Sequence, residues 1–267
     1  MTEDNEMMPE LVVAQQDAAP AKSAAADGAA LGDEDRAFLL GLNGQRESAY
    51  GLLSRLYLVE IDAGLYASLC DGAFPTGTGN DDVDAGYRLI ATYCASQHND
   101  ALLDLARDYA RVFIGHGNNA YAAAYPFESV YTSEKRLLMQ EARDEIVQIY
   151  RQAGMEIGAD WHDPEDHVAL ELSYMQLMAH RTKEALQARE DEHALALLDE
   201  QRQFLRRHLT SWVPMLVSDM KRLAHTDLYQ GLALLTRGLL AEDRRFLDSV
   251  VTEDGCNDGG QVADDQA

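Results

Sequence analysis

Apolar side chains recur at the period of an α-helix along most of this 267-residue chain. The spacing i, i+3, i+4, i+7 is found within residues 49–56, 102–113, 139–150 and 228–239. In an amphipathic helix this spacing gathers the apolar side chains on one face, which can then be buried. Alternating runs of the kind found in strands are nearly absent. The pattern therefore predicts an all-α protein, a single-domain helical bundle of about nine helices.

The ends of the predicted helices are set by glycines, prolines and capping residues. Asp163 followed by Pro164 is a strong start signal, with Asp as the N-cap and Pro in the first helical position. Glu165 and Asp166 would then lie near the positive end of the helix dipole. We find no repeat of fixed period, which argues against a helical solenoid. The predicted helices cover residues 35–60, 62–71, 83–97, 100–115, 133–153, 164–189, 191–209, 212–225 and 227–247.

Acidic residues are concentrated at the two ends of the chain. The formal net charge is −24, of which residues 1–35 carry −8 and residues 248–267 carry −6. Both ends are poor in large apolar side chains, so burial there would not offset the loss of chain entropy on folding. We therefore predict a folded domain over residues 35–247, between disordered acidic tails at 1–34 and 248–267.

Charge and composition exclude several kinds of partner. A strongly negative chain repels phosphates, so nucleic acid is not expected as a ligand. No run of about 18 apolar residues is present, and the N-terminus has acids where an export signal needs bases. Cys70, Cys94 and Cys256 are too few and too widely spaced for a disulfide framework. We expect a cytoplasmic protein with reduced thiols and no direct membrane insertion.

Common catalytic and metal-binding motifs are missing. The sequence contains neither a phosphate-binding loop nor a dinucleotide-binding glycine motif, and no residues argue for guanine nucleotide binding. Ser129 lacks the flanking glycines of a nucleophile elbow. His162 and His167 stand among acids, but their spacing does not place two ligands on one helical face, so a metal site there has a chance of roughly one in ten. No metal, cofactor or catalytic residue is predicted.

Two segments contain clusters of aromatic or charged residues that a simple helical bundle does not require. Residues 121–131 form a non-periodic loop rich in aromatic side chains, with Pro126 in its middle. Such a loop either covers the core or forms a wall of a binding groove, and composition favours the cover by about two to one. Residues 162–167 combine two histidines with three acids. A helix start is enough to explain these acids. If they lie beside an apolar groove, they would also bind arginine side chains.

Several segments resemble, in order, the landmarks of the TorD/DmsD family. The most distinctive are residues 126–131 (Pro-Phe-Glu-Ser-Val-Tyr) and residues 163–167 (Asp-Pro-Glu-Asp-His), which begin a longer match to 172. The order and spacing of the set make the resemblance specific over residues 45–247. The other matching segments are residues 109–115, the helix containing Met139, and residues 150–154, 204–214 and 228–240.

The resemblance implies a function and a set of site residues. The family consists of cytoplasmic, all-helical chaperones for molybdopterin-dependent oxidoreductases of the DMSO reductase type. Its members bind the twin-arginine signal peptide and the apo form of the client, aid cofactor insertion and delay export. Tyr57 matches less closely than the other positions, and Phe127 stands where some members have Trp or Tyr. The predicted peptide-binding residues are Tyr57, Pro126, Phe127, Ser129, Val130, Tyr131, Pro164, Glu165, Asp166 and His167.

Two other functions compete with the signal-peptide chaperone. A hydrolase could use Glu165, Asp166 and His167 for acid–base chemistry, but no nucleophile or metal set accompanies them. A helical adaptor would bind an amphipathic helix of a folded partner in a groove, without need for an arginine pair. We expect the chaperone, as a monomer or homodimer, and no enzyme activity. The client and its substrate are not determined by the sequence.

Overall fold

The computed structural model of the chain describes residues 31–115, 122–158 and 161–251. Within these ranges the chain forms ten α-helices and two π-helical turns, and the described residues contain no strand, only one isolated β-bridge. The prediction of an all-α bundle is confirmed. Most of the two predicted tails, as well as Tyr121 and Cys256, lie outside the described residues. In the described part no helix is both long and apolar enough to span a bilayer.

The helices follow the predicted order, with differences at some ends. The chain forms α1 (Asp33–Leu58), α2 (Ala63–Asp71), α3 (Asp81–Ala95), α4 (Ala101–Tyr109), α5 (Glu128–Thr132), α6 (Glu141–Gln152), α7 (Val168–Gln187), α8 (Asp191–Phe204), α9 (Val213–Leu223) and α10 (Asp227–Val250). A π-helical turn, Ala110–Ile114, continues α4, and a second, Leu205–Leu209, continues α8.

The predicted helix over residues 133–153 is wrong in its first part. Residues 133–140 form turns and bends, and α6 begins only at Glu141. Arg136 and Met139 have positive φ angles of 52° and 58°, which a right-handed helix cannot contain. The Ser133 hydroxyl accepts a hydrogen bond from the Leu137 amide at 3.0 Å, so a side chain replaces a helical backbone acceptor. The segment before it, predicted as loop, instead contains the short helix α5.

The predicted helix start at Asp163–Pro164 is also wrong. Helix α7 begins at Val168, and its N-cap is His167, whose Nδ1 accepts a hydrogen bond from the Ala169 amide at 3.1 Å. The acids at 163, 165 and 166 therefore precede the helix instead of forming its first turn. The capping sequence was misleading because the backbone at Asp166 pairs with another chain segment.

Two long helix pairs form the frame of the bundle. Helix α1 packs along α7, where the Ser54 hydroxyl hydrogen-bonds to the Ala169 carbonyl and to Ser173, both at 2.8 Å. Helix α10 packs along α3 and approaches it closely at Gly86 and Gly231. A Cβ atom on Gly231 would lie 2.7 Å from the Gly86 carbonyl oxygen, so this crossing requires glycine. The short helix α5 lies beside the N-terminus of α7.

Candidate functional site

The two segments selected from the sequence meet in the structure. Phe127 and His167 form an antiparallel β-bridge. The Val168 amide donates to the Pro126 carbonyl at 2.8 Å, and the Glu128 amide donates to the Asp166 carbonyl at 3.0 Å. Both segments are thus held in extended form immediately before a helix, α5 in one case and α7 in the other.

Asp166 connects the bridge to α5. Its Oδ2 accepts a hydrogen bond from the Ser129 amide at 2.8 Å, which satisfies an N–H group in the first turn of α5. The Asp166 side chain is fully buried, and its Oδ1 has no hydrogen-bond partner among the described residues. Asp166 therefore caps a helix that is 37 residues away in sequence, and not the helix that follows it.

His167 is buried and neutral. Its exposed fraction is 3%, and its ring packs edge-on against Phe127 at 5.0 Å and Trp161 at 5.4 Å between centroids. Burial lowers the pKa of His167 to about 3. A neutral imidazole can accept the Ala169 N–H bond at the positive end of α7, whereas an imidazolium could not.

Glu165 is already paired with an arginine of this chain. Arg143, from α6, donates to both of its carboxylate oxygens at 2.6 and 2.7 Å. This bidentate pair holds the pKa of Glu165 below its usual range. Pro164, before it, is partly buried, and Asp163 is exposed to solvent. Glu165 is thus occupied by an arginine of the same chain, and Asp163 is the exposed acid of this segment.

The α5 residues Ser129, Val130 and Tyr131 are buried. The Ser129 hydroxyl accepts a hydrogen bond from the Gln140 amide at 3.1 Å, which ties the exposed turn at 133–140 to α5. The Tyr131 hydroxyl donates to Asp219 at 3.2 Å. With Pro126 also buried, this segment covers the core, and Phe127 is its partly exposed ring.

Tyr57 is a core residue of α1. It is fully buried, its hydroxyl is 2.8 Å from the Thr236 hydroxyl, and its ring contacts Phe113. Burial raises its pKa. These partners belong to α10 and to the first π-helical turn, so Tyr57 makes its hydrogen bond and its ring contact with residues other than those of the bridge.

Sequence reasoning missed a group of buried polar residues behind α5. Glu128 pairs with His208, and Trp212 donates its indole N–H to Glu171 at 3.2 Å. Their positions are spread over three elements, so no local motif links them. The signal in the sequence was the pair of matching family segments at 126–131 and 204–214, which contain Glu128, His208 and Trp212.

Trp161 was missed as well. It is half-buried against His167, and an aromatic side chain directly before the 162–167 segment was the available signal. Among the described residues no group of three or more His, Cys, Asp or Glu side chains is arranged to hold a metal ion.

Comparison with known protein families identifies the class of helical protein to which this chain belongs. Residues 80–218, just over half of the chain, match the family described as nitrate reductase delta subunit. The chain therefore belongs to this family, that of the TorD chaperones. The family resemblance found in the sequence is confirmed.

Curated relatives extend the match over most of the chain. A protein named Chaperone protein TorD from Vibrio cholerae serotype O1 is 26% identical over 221 residues, covering 79% of this chain and 96% of that protein. One of the same name from Shewanella pealeana is 27% identical, covering 76% and 90%. Another from Vibrio vulnificus is 29% identical, covering 64% and 80%. The chain is thus a chaperone of the redox-enzyme maturation class, and the prediction that it is not an enzyme is confirmed.

Proposed function

We propose that this chaperone binds the twin-arginine signal peptide and the apo form of a molybdopterin-dependent oxidoreductase of the DMSO reductase type. It acts in the cytoplasm, aids insertion of the client's cofactor and delays export until insertion is complete. The observation that carries the proposal is the bridge between Phe127 and His167, because it brings two sequence-selected segments into one surface region.

The chemistry of this region suits a signal peptide of that kind. Such a peptide has a cationic part followed by a moderately apolar stretch. The partly exposed rings of Tyr125, Phe127 and Trp161 offer apolar contact, and the exposed carboxylate of Asp163 lies two residues after Trp161 in sequence. The net charge of −24 attracts a basic peptide at long range.

The predicted site residues divide into two roles within this proposal. Asp166 and His167 hold the two segments together, since the buried Asp166 carboxylate accepts the Ser129 amide and the buried His167 ring packs on Phe127. A peptide guanidinium reaches Asp163 directly and reaches Glu165 by exchange with Arg143. In that second contact the peptide guanidinium forms the same bidentate pair with Glu165 that Arg143 forms in the free protein.

The test is a calorimetric titration with a synthetic twin-arginine leader from a neighbouring reductase gene. The same peptide with both arginines replaced by glutamine is the comparison. We expect micromolar or tighter binding that weakens by about tenfold, or 1.4 kcal/mol, on loss of the arginines. Equal binding of both peptides contradicts the proposal and favours the helical adaptor.

Variants of the protein test the same contact by removing an acid of the protein in place of the arginines of the peptide. Asp163→Asn removes the exposed acid, and we expect it to weaken binding of the arginine peptide while leaving the glutamine peptide unaffected. Asp35→Asn is the matched control: it removes an exposed acid from the first turn of α1. That end of α1 is tied to α8 by the Arg36–Asp191 pair at 2.7 Å, so it lies near the far end of α7 from His167.

A further inference from the structure

We propose that His208 and Trp212 are positioning residues that hold α5 in its peptide-binding geometry. This inference rests on the function proposed above and adds residues to the same site. Helix α5 contains Ser129, Val130 and Tyr131, three of the predicted peptide-binding residues, but it is only five residues long. A helix this short is not stable alone in water, so side chains from elsewhere must set its orientation.

His208 holds the beginning of α5. Its Nδ1 is 3.0 Å from Oε2 of Glu128, the first residue of the helix. The pair is almost fully buried, with His208 1% and Glu128 3% exposed. Burial raises the pKa of Glu128, and the hydrogen bond from His208 opposes that shift. An unpaired polar group at this depth is costly, so the contact fixes where Glu128 can lie.

Trp212 holds the other end of α5. Its ring stacks on Tyr131 with centroids 5.5 Å apart and planes 26° apart. Its indole N–H also donates to Glu171, in the first turn of α7, at 3.2 Å. Trp212 therefore links α5 to α7, the two helices that follow the two bridged segments.

His208 lies in the π-helical turn at Leu205–Leu209, and Trp212 follows three residues after the end of that turn. The backbone amide of Trp212 donates to the Leu209 carbonyl, so it does not bind the His208 carbonyl four residues earlier. The His208 carbonyl accepts the Trp212 indole N–H instead. The imidazole from the π-helical turn and the indole from the residues after it lie against the two ends of one short helix.

The experiment compares two substitutions of His208 with a matched control. His208→Asn keeps an N–H donor close to the position of Nδ1, whereas His208→Leu fills similar space without a donor. The control is His180→Leu, because His180 also has Nδ1 3.0 Å from a glutamate, Glu47, but on an exposed face of the long helix α7. Leader-peptide affinity is measured by calorimetry, and hydrogen exchange of the α5 amides is measured in the free protein.

We expect His208→Leu to weaken peptide binding by about tenfold or more and to speed exchange at α5. We expect His208→Asn to restore both values to within about threefold of wild type, and His180→Leu to change neither. Rescue by asparagine separates positioning from general loss of stability, since both substitutions remove the ring. If His208→Leu does not fold, Trp212→Phe replaces it, because phenylalanine keeps the stack on Tyr131 but loses both indole hydrogen bonds.

Fluorescence gives a direct signal from the stacked ring. The chain has two tryptophans, so Trp161→Phe leaves Trp212 as the only tryptophan. In the free protein with that background we expect His208→Leu to shift the Trp212 emission to longer wavelength.

Two results would overturn the inference. One is unchanged peptide affinity in His208→Leu despite faster exchange at α5, which would make the contact purely structural. The other is unchanged exchange at α5 in that variant. If wild type binds no leader peptide, the proposed function fails on its own, and the exchange measurement still decides whether His208 positions α5.

Discussion

At the scale of single residues, burial determines what His167 does. In the sequence it lies among acids, where an acid–base role and a metal-ligand role were both considered. In the structure it is 3% exposed, packs against Phe127 and Trp161, and uses Nδ1 to cap α7. A neutral, buried cap supports a binding surface and is unsuited to general acid catalysis near neutral pH.

The low pKa of His167 predicts a loss of stability in acid. The folded-state pKa is about 3, against an ordinary value of 6.5. Between these values the unfolded chain binds one more proton, so this residue lowers stability by about 1.4 kcal/mol for each pH unit below 6.5. His167→Asn keeps a capping acceptor but does not titrate. We expect urea unfolding at pH 7, 6 and 5 to show a shallower pH dependence for the variant, whereas parallel curves would contradict this assignment.

Substitutions of Asp166 test whether its carboxylate stabilises the protein by accepting the Ser129 amide hydrogen bond or by its negative charge. Asp166→Ala leaves the buried Ser129 amide without an acceptor, and we expect a loss of about 1–3 kcal/mol in the free energy of unfolding. Asp166→Asn keeps an oxygen for that amide, so we expect it to retain most of the stability. Denaturant titration of both variants gives the comparison. Equal losses would show that the charge, not the hydrogen bond, stabilises the bridge.

At the scale of secondary-structure elements, the sequence predicted most helices close to their positions but missed the five-residue helix α5. Helices α1, α7 and α10, each at least 20 residues long, appear close to their predicted positions. Helix α5 was not predicted, and residues 133–140 were wrongly assigned to a helix. The reason is that five residues give too little periodicity to detect, and serine hydroxyls at 129 and 133 accept backbone amides in place of helical carbonyls.

Replacing glycine by alanine is expected to have opposite effects on stability at the crossing of α3 and α10 and in α1. In Gly231→Ala the new Cβ would lie 2.7 Å from the Gly86 carbonyl oxygen, so we expect a loss of about 1–3 kcal/mol despite the higher helix propensity of alanine. Gly41→Ala is the control, since no atom lies within 4 Å of a Cβ in the middle of α1. There we expect a gain of about 0.5–1 kcal/mol. Thermal or urea unfolding measures both, and stabilisation by Gly231→Ala would show that the helices separate easily.

At the scale of the whole molecule, charge sets how the chaperone meets a basic peptide. The net charge is −24, and the segment 36–247 carries −10 of it. Long-range attraction between a negative protein and a cationic peptide raises the association rate and is screened by salt. We expect the association rate constant for the leader peptide to fall about tenfold or more between 20 and 500 mM salt, with little change in dissociation. Stopped-flow fluorescence measures both rates, and an association rate independent of salt would exclude steering by this charge.

The sequence by itself determined the helical class, the acidic charge, the family and most of the residues near the candidate site. These properties are encoded in local spacing, composition and ordered motifs, which need no knowledge of distant contacts. Only the tertiary structure decided how those residues are used. Asp166 caps a helix 37 residues away, and Glu128 pairs with a histidine 80 residues away. Such pairs depend on how the helices pack, because groups far apart in sequence meet only when burial of the common core brings their elements together.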